Sequence, residues 1–301
     1  MTDRLAGILP VLQTALTDDG DFDLPSMERQ IEFCIRAGAD GLVFPVLGSE
    51  FMFLSDNERR DLVAFVVKHA CGRIPIIAGV AGASAAIAVE QAAHAAHIGA
   101  DAVIAMPPYV AVAAPEQIFD YFKRIAEAAR IPVIIQHAPL GPGMNTAFLK
   151  RLLAEVENIN YIKEEMDPSA HHISELVAAR IPGCWGIFGG GFCRWMMSEL
   201  DRGATGFMPA VEIVDIHVQI WRAYQAGDKD RAREIFNQIA PLILLTQQLR
   251  LPLVKEILLR RGILTSGALR QPGLQPLDEA DQRELDATLA AVSHLLINTE
   301  T

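Results

Sequence analysis

Eight short apolar runs alternate with amphipathic helical patterns over roughly the first 210 residues, and no other feature limits the possible folds as strongly. The runs are Gly7 to Leu12, Gly41 to Val46, Ile74 to Ala78, Ala102 to Ala105, Val133 to Gln136, Tyr161 to Lys163, Gly186 to Phe188 and Gly206 to Met208. Strand and helix in strict alternation form βα units around a parallel sheet, and eight units fit a closed (β/α)8 TIM barrel better than an open sheet. A helix-to-strand phrase recurs at Gly38-Ala39-Asp40-Gly41, Gly99-Ala100-Asp101-Ala102 and Gly203-Ala204-Thr205-Gly206. The first interval covers two units and the second four, so one unit takes roughly 25 to 30 residues, as such a repeat should. Ser55 with Glu58 fits a capping box, and Pro115 fits a first helical position after Ala114.

Beyond Val214 the strand pattern stops and the apolar residues follow helical spacing, among them Trp221, Tyr224, Ile235, Ile239 and Leu242. Ser266 to Leu277, with Gly267, Pro272, Gly273 and Pro276, reads as a surface loop before a last helix from Glu279 to Leu296. The expected organisation is a catalytic barrel over residues 1–214 and a C-terminal helical extension over 215–301.

A chain of 301 residues with 51% hydrophobic residues can bury a large core. Its net charge of −11 and the absence of a Lys/Arg run argue against nucleic acid and anionic membranes as partners. Cys34, Cys71, Cys184 and Cys193 form no Cys-x-x-Cys pair and read as reduced thiols. The opening Thr2-Asp3-Arg4 lacks the pattern of an export leader, and no apolar run is long enough to span a bilayer. A cytoplasmic protein is expected.

Barrel chemistry sits at the carboxyl ends of the strands. Of the six lysines, only Lys163 ends a strand; Lys68, Lys123, Lys150, Lys229 and Lys255 lie in amphipathic helices. An amine at a barrel mouth can attack a ketone and form a Schiff base, although the following Glu164-Glu165 also fits a buried lysine–carboxylate pair. Around the same mouth stand Gly48 and Ser49 after strand two, Tyr109 after strand four, Gln136 and His137 at strand five, Gly189 and Gly190 at strand seven, and Met208 at strand eight. The glycines and Ser49 offer amides and a hydroxyl for a substrate carboxylate, or they are simple loop geometry. Once an iminium acidifies the neighbouring carbon, a proton carrier is required, and His137, Glu165 and Ser49 are the candidates. Cys193, Trp195 and the Met196-Met197 pair read as packing, and His171-His172 as a solvent-facing helix start.

Leu47-Gly48-Ser49-Glu50 with Leu54-Ser55 and Glu58, then Pro107-Pro108-Tyr109, Ile162-Lys163-Glu164, Gly203-Ala204-Thr205-Gly206 and Pro252-Leu253-Val254-Lys255 together resemble the dihydrodipicolinate synthase/N-acetylneuraminate lyase family. The resemblance implies a Schiff base between Lys163 and a 2-keto acid, with Gly48-Ser49 at its carboxylate, no metal or organic cofactor, and a homotetramer built as a dimer of dimers. The family's strand-two threonine pair is replaced by Leu47-Gly48, its strand-five tyrosine by Gln136, and the second tyrosine of the strand-four loop by Val110. An amide cannot relay a proton as a phenol does. Gln136-His137-Ala138-Pro139 and Tyr161-Ile162-Lys163-Glu164-Glu165 are similar to the 2-keto-3-deoxy-L-arabonate dehydratase branch, where the residue after the glutamine is acidic instead of His137. The expected activity is dehydration of a 2-keto-3-deoxy sugar acid. The alternatives are a pyruvate-releasing aldolase or dihydrodipicolinate synthase-type enzyme, and a catalytically weak sugar-acid-binding or regulatory relative.

Overall fold

A computed structural model describes residues 4–140 and 143–298. The eight expected runs all form strands: β1 (Gly7–Ile8), β2 (Leu42–Phe44), β3 (Ile76–Gly79), β4 (Ala102–Ala105), β5 (Val133–His137), β6 (Ile159–Glu164), β7 (Gly186–Gly189) and β8 (Gly206–Phe207). They pair in parallel in the order β1-β8-β7-β6-β5-β4-β3-β2. Val11 bridges both Val43 and Ala210, which joins the two ends of the sheet and closes the barrel. Thr2 and Asp3 lie outside the described residues.

Helices α1 (Leu24–Ala37), α2 (Asp56–Ala70), α3 (Ala85–His97), α4 (Pro115–Ala129), α5 (Thr146–Glu155), α6 (Ser169–Ala178) and α7 (Met196–Leu200) follow the first seven strands. Their ends are set locally. Asp23 caps α1 by accepting from the Ser26 amide, and Gly38 ends it with φ 81°, a left-handed turn that suits a residue without Cβ. The Ser55/Glu58 box caps α2 and Pro115 opens α4, as expected.

Side chains alternate across the strands. Leu9, Val43, Ile104, Ile134, Tyr161 and Phe188 fill the barrel interior, whereas Ile135, Ile162, Ile187 and Phe207 join the larger core between strands and helices. At ~25 cal/mol per Å² of apolar surface, these layers supply the main drive for closure.

The boundary drawn at residue 214 falls at the start of α8 (Val214–Gln225), which packs on β1 and α1 in the place of the eighth barrel helix. Beyond it lie α9 (Lys229–Leu249), α10 (Leu251–Arg260) and α11 (Glu279–Val292), the last ending in a 3-10 turn to Leu295. Lys255 departs from the reading of an ordinary amphipathic-helix lysine. It is buried, 3.1 Å from the equally buried Glu50, and also donates to the Ala268 carbonyl. Glu50 accepts in addition from the amides of Arg270 (2.8 Å) and Gln271 (2.7 Å), so its charge is fully paired and the extension is tied to the strand-two loop. No helix among the described residues is long and apolar enough to cross a membrane.

Candidate active site

Lys163 stands near the end of β6, in register with Gln136 of β5 and Phe188 of β7. It shares the inward face with Tyr161, two residues earlier, and its Nζ lies 3.2 Å from Glu165 Oε1. Glu165 is two residues further on the same face. Gln136 Nε2 donates to its Oε2 at 2.8 Å, and the Gly191 amide donates to its Oε1 at 2.9 Å. Burial pushes this carboxyl up, but Lys163, Gln136 and the Gly191 amide outweigh burial and hold it below the usual carboxylate range. The result is an ionised carboxylate in contact with the lysine, its orientation fixed on both oxygens.

The strand-seven loop completes this pocket through its backbone. Gly191 has φ 56°, and Phe192 and Cys193 continue in left-handed geometry at 57° and 60°, a costly conformation for residues with a Cβ. That turn delivers the Gly191 amide to Glu165. Gly190 lies against the carboxylate so closely that a Cβ there would sit 2.4 Å from Glu165 Oε1. Gly189 belongs instead to the barrel wall: its carbonyl accepts from the Met208 amide, and a Cβ there would meet Glu199 at 2.2 Å. Met208 packs inside the barrel with Tyr161 and Phe188.

Two expected site residues, His137 and Ser49, are placed differently from the sequence reading. His137 follows Gln136, so strand alternation turns its side chain to the outer face with Ile135 and away from Lys163. There its Nδ1 lies 2.8 Å from Glu164 Oε2, and its Nε2 accepts from the Met144 amide at 3.1 Å. Ser49 is fully buried; its hydroxyl donates to the Leu12 carbonyl at 2.6 Å and accepts from the Val46 amide, and its own amide is taken by Val46. It shapes the strand-two turn, and Gly48 is the more open of the two. Tyr109 packs edge-on against Phe51 at 5.6 Å, and burial pushes its phenol pKa up. Among the packing residues, Cys193, Met196 and Met197 are buried, whereas Trp195 is half exposed. His172, read as solvent-facing, is partly covered and stacks on His137 at 6.2 Å.

The sequence reading missed the outer cluster of His137, Glu164 and His172, whose donor atoms lie within 4.8 Å of one another. A metal-bound imidazole presents a lone pair inward and a proton outward. His137 has the opposite arrangement: a backbone amide can only donate, so Met144 fixes the lone pair on Nε2 and the proton on Nδ1, facing Glu164. Strand parity could have found this cluster, since Lys163 facing inward requires Glu164 to face outward.

Fold and site define a (β/α)8-barrel protein that presents a lysine–carboxylate pair at the catalytic end of its strands. The chain belongs to the dihydrodipicolinate synthetase family, whose model matches residues 4–292. It is 33% identical to an L-2-keto-3-deoxyarabonate dehydratase of Azospirillum brasilense over 90% of this chain and 86% of that one. It is 27% identical to a 4-hydroxy-tetrahydrodipicolinate synthase of Methanothrix thermoacetophila over 96% and 97% of the two chains. The crystal structure of a prophage protein of Escherichia coli K12 from the same family, in complex with pyruvate, superimposes with a TM-score of 0.88 at 26% identity, covering 96% of this chain and 99% of that one. The chain is therefore a lyase of this family.

Proposed function

We propose that the protein is a Schiff-base dehydratase of a 2-keto-3-deoxy sugar acid of the arabonate type, working without metal or organic cofactor. The observation that carries this reading is the Lys163–Glu165 contact of 3.2 Å, with the carboxylate anchored by Gln136 and Gly191. The similarity to the Azospirillum dehydratase supports it.

Lys163 Nζ adds to the C2 carbonyl, and the carbinolamine loses water to give an iminium. The iminium acidifies C3, and the ionised Glu165 takes a C3 proton, leaving an enamine. The enamine expels the C4 hydroxyl, which departs as water with the proton that Glu165 has just received. Loss of a C5 proton and protonation at C3 turn the conjugated iminium into a C4–C5 enol, which tautomerises to the aldehyde; water then hydrolyses the iminium and frees Lys163, so the net change is loss of one water. Glu165 thus covers the proton transfer that the amide of Gln136 cannot perform, while Gln136 holds its second oxygen. The partly exposed Gly48 of the strand-two turn is the proposed contact for the substrate carboxylate.

The test is product analysis on a panel of 2-keto-3-deoxy acids. Semialdehyde formation without pyruvate is expected. Stoichiometric pyruvate would make the protein an aldolase, and no turnover with no adduct on Lys163 would make it a binding relative.

A further inference from the structure

We infer that His137 is a positioning residue for Glu165, acting from behind the barrel wall through Glu164. This rests on the reading of Glu165 as the proton carrier.

Three hydrogen bonds converge on two side chains that never face the substrate, and a fourth joins the main chains beside them. The His137 ring donates from Nδ1 to Glu164 Oε2 (2.8 Å) and accepts the Met144 amide at Nε2 (3.1 Å). Glu164 takes the Met166 amide on its other oxygen at 2.9 Å, and the His137 carbonyl takes the Glu165 amide at 2.9 Å. The clamp therefore grips Glu165 on both sides: its own amide through the His137 main chain, and its successor Met166 through the Glu164 side chain. It also fastens the strand-five loop, through Met144, to the end of β6. His172 of α6 approaches the same carboxylate at 3.5 Å, too long for a good hydrogen bond, and forms the third wall of the cluster. Glu164 is fully buried and His137 nearly so, so each bond is made where water cannot replace it. Both oxygens of Glu164 face donors, which no amide in its place could satisfy.

The geometry assigns separate tasks to the two ring nitrogens, and substitutions can separate them. In His137→Asn the amide nitrogen falls near Nδ1 and can keep the Glu164 bond. In His137→Gln the amide oxygen falls near Nε2 and can keep only the Met144 bond. His137→Ala is expected to lower kcat by roughly 10- to 100-fold, the scale of a small misplacement of a reacting group. Asn should restore most of that loss and Gln should not, while borohydride trapping of a 2-keto acid on Lys163 stays equal in all four proteins, because Lys163 lies on the other face of the sheet. A downfield imidazole proton resonance, present in the unchanged protein and absent from His137→Ala and Glu164→Gln, would show the Nδ1–H bond itself. Four proteins with equal kcat, rescue by Gln but not by Asn, or loss of trapping in step with kcat would each overturn the assignment. Failure of the underlying reading would be visible elsewhere, as a Glu165→Gln variant that keeps the kcat of the unchanged protein.

Discussion

Gly190→Ala is the sharpest perturbation of the proposed site. The added Cβ would sit 2.4 Å from Glu165 Oε1, 2.6 Å from its Cγ and 2.7 Å from its Cδ, where ordinary contact starts at 3.4 Å. Gly190 has φ −146° and ψ −141°, and that ψ lies outside the regions open to residues with a Cβ, so alanine also strains the main chain. The carboxylate is the end of a flexible side chain and can retreat by about 1 Å, the difference between 2.4 and 3.4 Å. That retreat opens the 3.2 Å contact with Lys163 and the 2.9 Å bond from Gly191. A displacement of about 1 Å at a reacting group costs on the order of 100-fold in rate, about 2.7 kcal/mol at about 1.36 kcal/mol per tenfold. Stability should fall by roughly 1–3 kcal/mol, the cost of holding alanine in that conformation. The assay pairs steady-state kcat with borohydride trapping on Lys163 and a urea melt. The expected outcome is kcat about 100-fold lower with trapping preserved and the urea midpoint modestly lowered. A kcat within about threefold of the unchanged protein would refute the role given to the Glu165 position.

Other variants probe the neighbouring groups. Gln136→Leu frees Glu165 Oε2 and should lower kcat by ~10-fold, with the adduct on Lys163 still formed; unchanged kinetics would mean that the anchor is dispensable. Lys255→Met leaves buried Glu50 without its cation and should destabilise the fold by about 3–5 kcal/mol in urea titration; a loss under about 1 kcal/mol would show that the amides of Arg270 and Gln271 suffice. Burial raises the Glu212 carboxyl to about 7 from 4.5. A raised folded-state pKa contributes stability that is full below about 4.5 and is lost as pH rises through about 7, up to about 3 kcal/mol over that window. Glu212→Gln removes this dependence, so the difference between the two proteins should shrink from pH 8 to pH 5; parallel stability curves would contradict it.

The fold was legible because strand and helix each leave a period in the chain, and every expected run became a strand within a few residues. The candidate site was legible where chemistry and parity agree. Lys163, Glu165 and Gln136, read from the sequence as nucleophile, proton-transfer candidate and substrate contact, all fall on inward positions. His137 was drawn into the mouth by its titratable ring, although it adjoins Gln136 and must point the other way. Ser49 was misplaced for another reason: a hydroxyl in a tight turn is as readily used to hold the turn, and the Leu12 carbonyl that takes it is 37 residues away. Lys255 and Glu50 are separated by 205 residues, and no local pattern joins them. Pairings of that span follow from how the extension folds back over the barrel.

The central claim is the covalent role of Lys163. The direct measurement is intact-protein and peptide mass after incubation with a 2-keto acid and borohydride. A single reduced adduct mapped to Lys163 in the unchanged protein, absent from a folded Lys163→Ala, is the predicted result. An adduct on another lysine, or turnover that persists in Lys163→Ala, would contradict it.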